Sequence, residues 1–309
     1  MVKFLQNLNP LVKGVGLAFL ATLGMANVYV FSKAALLEVS FFQFQFYWFA
    51  FAMIWILAYL LLSGIIKRIP LLKKISMRNL LIIGILELGA SLTMFLAIKL
   101  AEYPANISFL SNITPIFVTI LGIRFLKERF NFVEGVGIIL TLGGVIMISY
   151  TRNTTLAAFF GSGSGWILVS SLLLSISIIF TKVNIRDIHP GIFALNRVVY
   201  LFIFGSIAML VTHSSFSISG RAVFNMAAGS FLGPFLTALA QYSALKYIEA
   251  SRTMIIQATR GLFVLIGSMI YLSLLPTYLQ VVGGIITIAG VIIMTWGKMR
   301  QKSKKTESS

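Results

Sequence analysis

The chain has 309 residues, 58% hydrophobic and only 11% charged, with a mean hydropathy of +0.95 and a formal net charge of +17. Soluble domains carry about 25% charged residues, so this composition excludes an ordinary soluble protein. The absence of cysteine excludes disulfides, thiol catalysis and thiolate metal sites.

A helix needs about 20 apolar residues to cross a hydrocarbon core of about 30 Å. Ten stretches meet that length, at 12–34, 41–63, 79–99, 105–126, 132–150, 164–183, 191–212, 222–245, 251–274 and 277–297. The first is read as a retained span, because no small-residue cleavage motif follows it. The second opens on an aromatic cluster (Phe41, Phe42, Phe44, Phe46, Tyr47, Trp48, Phe49, Phe51) that holds Gln43 and Gln45. Such a cluster suits an interfacial belt, lipid contact or a wall over a substrate cation or ring. The third span carries Glu87 about eight residues in. On the fourth, Ser108, Asn112, Pro115 and Thr119 share one helical face, and Arg124, Lys127 and Arg129 follow. The fifth is glycine-rich, with Gly135, Gly137, Gly143 and Gly144. The seventh carries Arg197, seven residues after Pro190. Ser230, Pro234, Thr237 and Gln241 line one face of the eighth, and Thr253, Gln257 and Arg260 line one face of the ninth. The tenth repeats the glycine pattern at Gly283, Gly284 and Gly290, and a basic tail follows from Lys298 to Lys305.

The two halves repeat each other at a shift of about 147 residues. Ala97-Ile98-Lys99-Leu100-Ala101-Glu102 returns as Ala244-Leu245-Lys246-Tyr247-Ile248-Glu249, and the glycine run of Gly135–Ile146 returns as Gly283–Ile292. Phe31-Ser32-Lys33 returns as Phe180-Thr181-Lys182. Five spans per copy predict that the second copy sits upside down relative to the first. The expected fold is all-α: a polytopic membrane protein of ten transmembrane helices in two inverted five-helix repeats, residues 1–152 and 153–309. Inverted repeats are a common scaffold of secondary transporters, with the cargo held near mid-bilayer between the halves. With the N-terminus inside, 19 of the 25 Lys and Arg residues fall on the inner side and four (Lys33, Lys99, Arg152, Arg221) on the outer. That asymmetry predicts cytoplasmic termini. It also attributes the positive charge to topology and to anionic lipid head groups rather than to nucleic acid.

The run Phe125-Leu126-Lys127-Glu128-Arg129-Phe130, followed by Gly135, Gly137 and Gly143-Gly144-Val145, resembles the end of an EamA domain of the drug/metabolite transporter superfamily. The glycines of the tenth span and the endings at Lys33 and Lys182 are similar to the same pattern, so the resemblance covers the whole chain. It implies export or exchange of amino acids and related small metabolites across the cytoplasmic membrane. It implies neither ATP, cofactor nor metal. The halves depart from each other chemically. Glu128 has no acidic counterpart near 274–277, and Arg197 has none among Phe46, Tyr47 and Trp48.

Charge inside a span costs on the order of 3 kcal/mol per residue, which marks Glu87, Arg197 and Arg260 as candidates. All three begin about 10–14 Å from the inner interface at ~1.5 Å per residue, so one shared layer is expected. Three roles stand open for Glu87: a buried pair with one arginine that fixes packing, a proton-accepting switch or ammonium ligand, or one wall of a solvated vestibule. One acid against two bases leaves an excess positive charge suited to a carboxylate or phosphate. The candidate substrate-binding set is Glu87, Arg260, Gln257, Gln241, Thr237, Asn112 and Arg197. Pro115 and Pro234 are read as hinges or as shaping features of the bundle. The glycines are read mostly as packing. His189, His213 and the single Asp187 form no catalytic or metal constellation, so an embedded lipid-modifying enzyme is disfavoured. A flippase for lipid or lipid-linked sugar remains as the alternative on the same scaffold. The expected partners are a small-molecule metabolite, membrane lipids and optionally protons, in a monomer or homodimer. Asn153-Thr154-Thr155 matches a glycan acceptor by chance.

Overall fold

The computed structural model describes residues 9–100, 107, 110–149, 163–263 and 277–307. Every regular element among them is helical: α1 (Pro10–Glu38), α2 (Phe41–Leu62), α3 (Lys74–Leu100), α4 (Ile113–Leu126), α5 (Phe132–Ser149), α6 (Ser164–Asn184), α7 (Pro190–Val211), α8 (Gly220–Leu245), α9 (Ala250–Ala258) and α10 (Tyr278–Glu307), with a 3₁₀ segment at Ile65–Leu71. Seven of these (α1, α2, α3, α6, α7, α8 and α10) are long and apolar enough to cross a membrane. The two apolar helices α4 and α5 are shorter. The fourth and ninth expected spans run into residues outside those described. Lys3, Ser108, Arg152, Asn153–Thr155 and Leu274–Pro276 also lie outside them.

Local sequence sets the helix starts. Asn9 accepts from the Leu11 N–H at 3.0 Å, and Pro10 supplies the helical φ of the first turn. Ser40 and Gln43 exchange side-chain to backbone bonds at 3.2 and 2.8 Å, so Gln43 is a capping residue. Asn131 and Glu134 do the same for α5, at 2.9 and 3.1 Å. His189 caps α7 by accepting from Gly191 N–H at 3.1 Å.

The four most extensive helix pairings all join one half to the other: α1 with α8, α2 with α7, α3 with α6 and α5 with α10. Each pair runs antiparallel. Ala90 meets Ser170 while Asn79 meets Asn184, and Gly205 meets Gln45 while Gly191 meets Leu60. One end of the bundle therefore gathers the starts of odd-numbered helices and the ends of even-numbered ones. This basic end carries Lys127, Arg129, Lys182, Arg186, Lys246 and Lys298.

The α5–α10 pair is the closest. A Cβ on Gly137 would lie 2.7 Å from the Gly290 carbonyl oxygen, and one on Gly144 would lie 2.6 Å from that of Gly283. Only a missing side chain permits this backbone approach.

The core is aromatic where α2, α3, α7 and α8 meet, with Phe44, Trp48, Phe49, Phe95, Phe193 and Tyr242 buried. Much of the second span's aromatic cluster is thus interior packing. Outside, the helices expose large apolar residues such as Ile54, Ile85, Ile139 and Ile207 while burying Glu87, Glu134, Arg252 and Arg260. That inversion is the signature of a lipid-facing surface.

Candidate functional site

Glu87 lies on α3, fully buried, and its partners come from three helices of the other half. Ser177 on α6 donates to Oε1 at 2.6 Å, and Tyr242 on α8 donates to the same oxygen at 3.2 Å. Arg197 on α7 places Nη1 3.4 Å from Oε2, and its Nη2 donates to Ser91, one turn along α3, at 2.9 Å. The arginine that pairs with Glu87 is therefore Arg197, whose side chain is 19% exposed and does not snorkel away. The carboxylate is held by a cation and two hydroxyls in a low-dielectric seam. A lone buried carboxylate there would be strongly disfavoured.

Beside the pair lies a cavity of about 20 Å³, lined by Met25, Trp48, Phe95, Arg197, Pro234 and Thr237 among others. That is room for roughly one water. Arg197 Nε and Trp48 Nε1 have no hydrogen-bond partner among the described residues.

Arg260 does not contact Glu87. Its Nη2 meets Ser111 Oγ and donates to Asn112 Oδ1 at 3.0 Å, and its guanidinium sits 6.0 Å from the Tyr29 ring. Tyr29 OH in turn lies 3.1 Å from Ser111 Oγ. Arg260 and Asn112 thus form a second buried cluster of neutral dipoles around a cation. Gln257 is buried on α9 with its Nε2 unpartnered among the described residues. Gln241 is buried next to Tyr242 in α8 and takes part in the hydrogen bonds of neither cluster.

Thr237 has a structural task. Residues Phe231–Thr237 adopt a π-helical turn around Pro234, which lacks an N–H. Thr237 donates to Leu232 O at 2.8 Å and approaches Ala21 O at 3.3 Å, satisfying a carbonyl that the widened turn exposes. Ser230, Pro234, Thr237 and Gln241 all remain buried despite the change of winding. Pro115 falls in the first turn of described α4, and Thr119 bonds back to its carbonyl at 2.7 Å.

A third cluster, at the basic end, was not among the candidates. Lys127 ends α4 in a left-handed conformation, φ 55°. That reversal delivers Glu128 to the start of α9, where its two oxygens accept from Ala250 N–H at 2.8 Å and Ser251 N–H at 3.3 Å, and meet Ser251 Oγ. Next to it, buried Arg252 bridges Glu134 at 2.7 Å and Glu249 at 2.8 Å, and stacks 4.8 Å from the Phe130 ring. Lys298 of α10 closes the chain of charges onto Glu249 at 2.8 Å. Burial alone would raise the Glu249 pKa, but Arg252 and Lys298 hold it below its ordinary value. Glu128 and Glu134 belong to the first half and Arg252, Glu249 and Lys298 to the second, so this latch pins the halves together at one end. The charges were visible in the sequence only as topology signals.

No group of three or more His, Cys, Asp or Glu residues among the described residues forms a metal site. The chain matches the EamA-like transporter family over residues 12–150 and again over 161–296. Among its relatives, a WAT1-related protein of Arabidopsis thaliana is 26% identical over 93% of this chain and 88% of its own. The transporter YdfC of Bacillus subtilis is 30% identical over 64% of each chain. A solved crystal structure has the same fold, with a TM-score of 0.74, 14% identity and coverage of 92% of this chain and 96% of that one. A repeated family match spanning nearly the full length, on a helical bundle with a lipid-facing exterior, identifies this chain as a member of the EamA-like transporter family.

Proposed function

We propose that this protein is a secondary transporter that moves a small metabolite, an amino acid or related compound, across the cytoplasmic membrane by alternating access, in efflux or exchange. In this reading ten spans form two inverted five-helix repeats with both termini cytoplasmic. Reciprocity of the packing supports it. If α1–α5 correspond to α6–α10, then α1 on α8 mirrors α6 on α3, and the other two large pairings, α2 on α7 and α5 on α10, match each helix with its own counterpart. The glycines obey the same rule. Gly137 and Gly283 are equivalent, as are Gly144 and Gly290, and the contacts run 137 to 290 and 144 to 283.

The observation that carries the function is the seam charge. Glu87 of one half is held by Ser177, Arg197 and Tyr242 of the other. A zwitterion entering the seam as the halves separate offers an ammonium to Glu87 and a carboxylate to Arg197, so each buried charge keeps a partner. Protonation of Glu87 would loosen the same seam, which makes a proton an alternative trigger. The latch at the basic end would then be the closed cytoplasmic side.

The test is uptake into proteoliposomes with a panel of amino acids, with and without a pH gradient, comparing Glu87→Gln and Arg260→Ala. Loss of transport in Glu87→Gln with binding of the protein to lipid intact is expected. Parental rates in both variants would overturn the site while leaving family membership untouched.

One feature favours the flippase reading. A groove of about 740 Å³ between α3 and α7, lined by Lys74, Met77, Arg78, Leu81, Asn196 and Tyr200, presents half-exposed Met77 and Leu81 to lipid. A fluorescent-lipid scrambling assay on the same proteoliposomes separates the two readings.

A further inference from the structure

We propose that the recess at the basic end is a binding site for a phosphate group, carried by an anionic lipid of the adjoining leaflet or by a free phosphate ester. The recess holds about 540 Å³, within the range of ligand sites. Six cations line it, Lys127, Arg129, Lys182, Arg186, Lys246 and Lys298, against two acids, Glu128 and Glu249. Both acids are already engaged. Glu128 is spent on the first N–H groups of α9, and Glu249 is bound by Arg252 and Lys298. Lys182 is engaged too, donating to Leu245 O at 2.5 Å and Ile248 O at 2.7 Å. That leaves Lys127, Arg129, Arg186 and Lys246 exposed on one recess, with no ion-pair partner among the described residues.

Like charges around a common hollow repel, and an anion with several acceptor oxygens removes that repulsion while taking up the free donors. The recess gathers helix ends, which in the proposed orientation places it at the head-group layer. Its rim includes Val183, 62% exposed, so a diester seated among the cations would leave its acyl chains along apolar surface. Lys127 and Arg129 belong to the first half, Arg186 and Lys246 to the second. A bound phosphate therefore braces the two halves beside the Glu134–Arg252–Glu249 latch. The inference goes beyond the cargo reading and does not depend on what is transported; the proposed orientation only names the leaflet.

The experiment is native mass spectrometry of the full-length protein, delipidated in a zwitterionic detergent and titrated with phosphatidylglycerol or phosphatidylcholine. Arg186→Gln/Lys246→Gln is compared with Lys67→Gln/Lys73→Gln, an equal loss of charge away from the recess at residues that are likewise exposed. Parent and control should retain phosphatidylglycerol in preference to phosphatidylcholine, and the recess variant should bind it about tenfold or more weakly, as loss of two charge-assisted contacts requires. Displacement of the lipid by millimolar glycerol phosphate or inorganic phosphate assigns the site to free phosphate esters as well; no displacement assigns it to the lipid. Equal weakening in both variants, equal affinity for the two lipids, or no retention by the parent overturns the proposal.

Discussion

Removing Arg252 is the sharpest test of the latch. In Arg252→Ala, Glu134 keeps only the Asn131 N–H at 3.1 Å on Oε2, and its Oε1 already lacks a partner among the described residues. The side chain is fully buried, so the variant strands a carboxylate in the interior. Glu249 is 27% exposed and retains Lys298, so its share of the loss is small, below about 1 kcal/mol. The Phe130 contact adds about 0.5–1 kcal/mol. Breaking a buried ion pair costs about 3–5 kcal/mol, so the orphaned Glu134 dominates the sum. Adding Glu134→Gln to Arg252→Ala removes that charge and should restore about half of the loss. Reversible unfolding in mixed micelles measures all four corners of this cycle. The chain has no cysteine, so a single Ile255→Cys at a buried position of α9 reports opening of the same end by thiol labelling without background. Stability within 1 kcal/mol of the parent in Arg252→Ala, or no recovery in the double variant, would refute the argument.

Other expectations follow from the same contacts. Gly137→Ala or Gly144→Ala places a methyl against the facing backbone and should cost about 1–3 kcal/mol or more, whereas Gly143→Ala, with nothing within 4 Å, should be neutral or stabilising in the same unfolding assay. Tyr242→Phe removes one donor from the Glu87 carboxylate and should cost about 1 kcal/mol in the same unfolding assay. Burial, with Lys246 and Arg68 nearby, pushes the His189 pKa below its ordinary 6.5. A base with a depressed folded pKa contributes stability that is full above 6.5 and lost as pH falls through the folded value. The thermal midpoint should therefore decline below pH 6.5, and His189→Asn, which keeps a capping oxygen, should flatten that decline. Glu249, held low, gives a second decline that begins only below 4.5, checked by extending the same thermal-midpoint series into acid.

Seven of the ten expected spans are matched by helices of membrane length, because lipid leaves few options for an apolar run of that length, and Glu87, Arg197 and Arg260 stood out as charges in the wrong place. Their partners were not legible. Ser177 and Tyr242 are ordinary residues for a membrane helix, and they meet Glu87 only across 90 and 155 residues of chain. Arg260 pairs with Ser111 and Asn112 rather than with Glu87, because position along a helix fixes depth and not the face presented. Pro234 announced a disturbance in α8, yet nothing local said that Thr237 would absorb it through a π turn. The Lys-Glu-Arg run carried the family resemblance, but its physical reason, a carboxylate spent on the N–H groups of a helix in the other half, appears only in three dimensions.

The α5–α10 contact limits how the molecule can move. From Glu134 beside Gly297 to Gly144 beside Gly283, two backbones touch over about ten residues, roughly 15 Å of helix. At the glycines the facing backbones leave room only for small side chains such as Thr141 and Thr287, so neither rod can roll without collision. Whatever swing exposes the seam must treat this pair as a fixed pivot, so displacement should grow with distance from it and be greatest in the helices that carry Glu87 and Arg197.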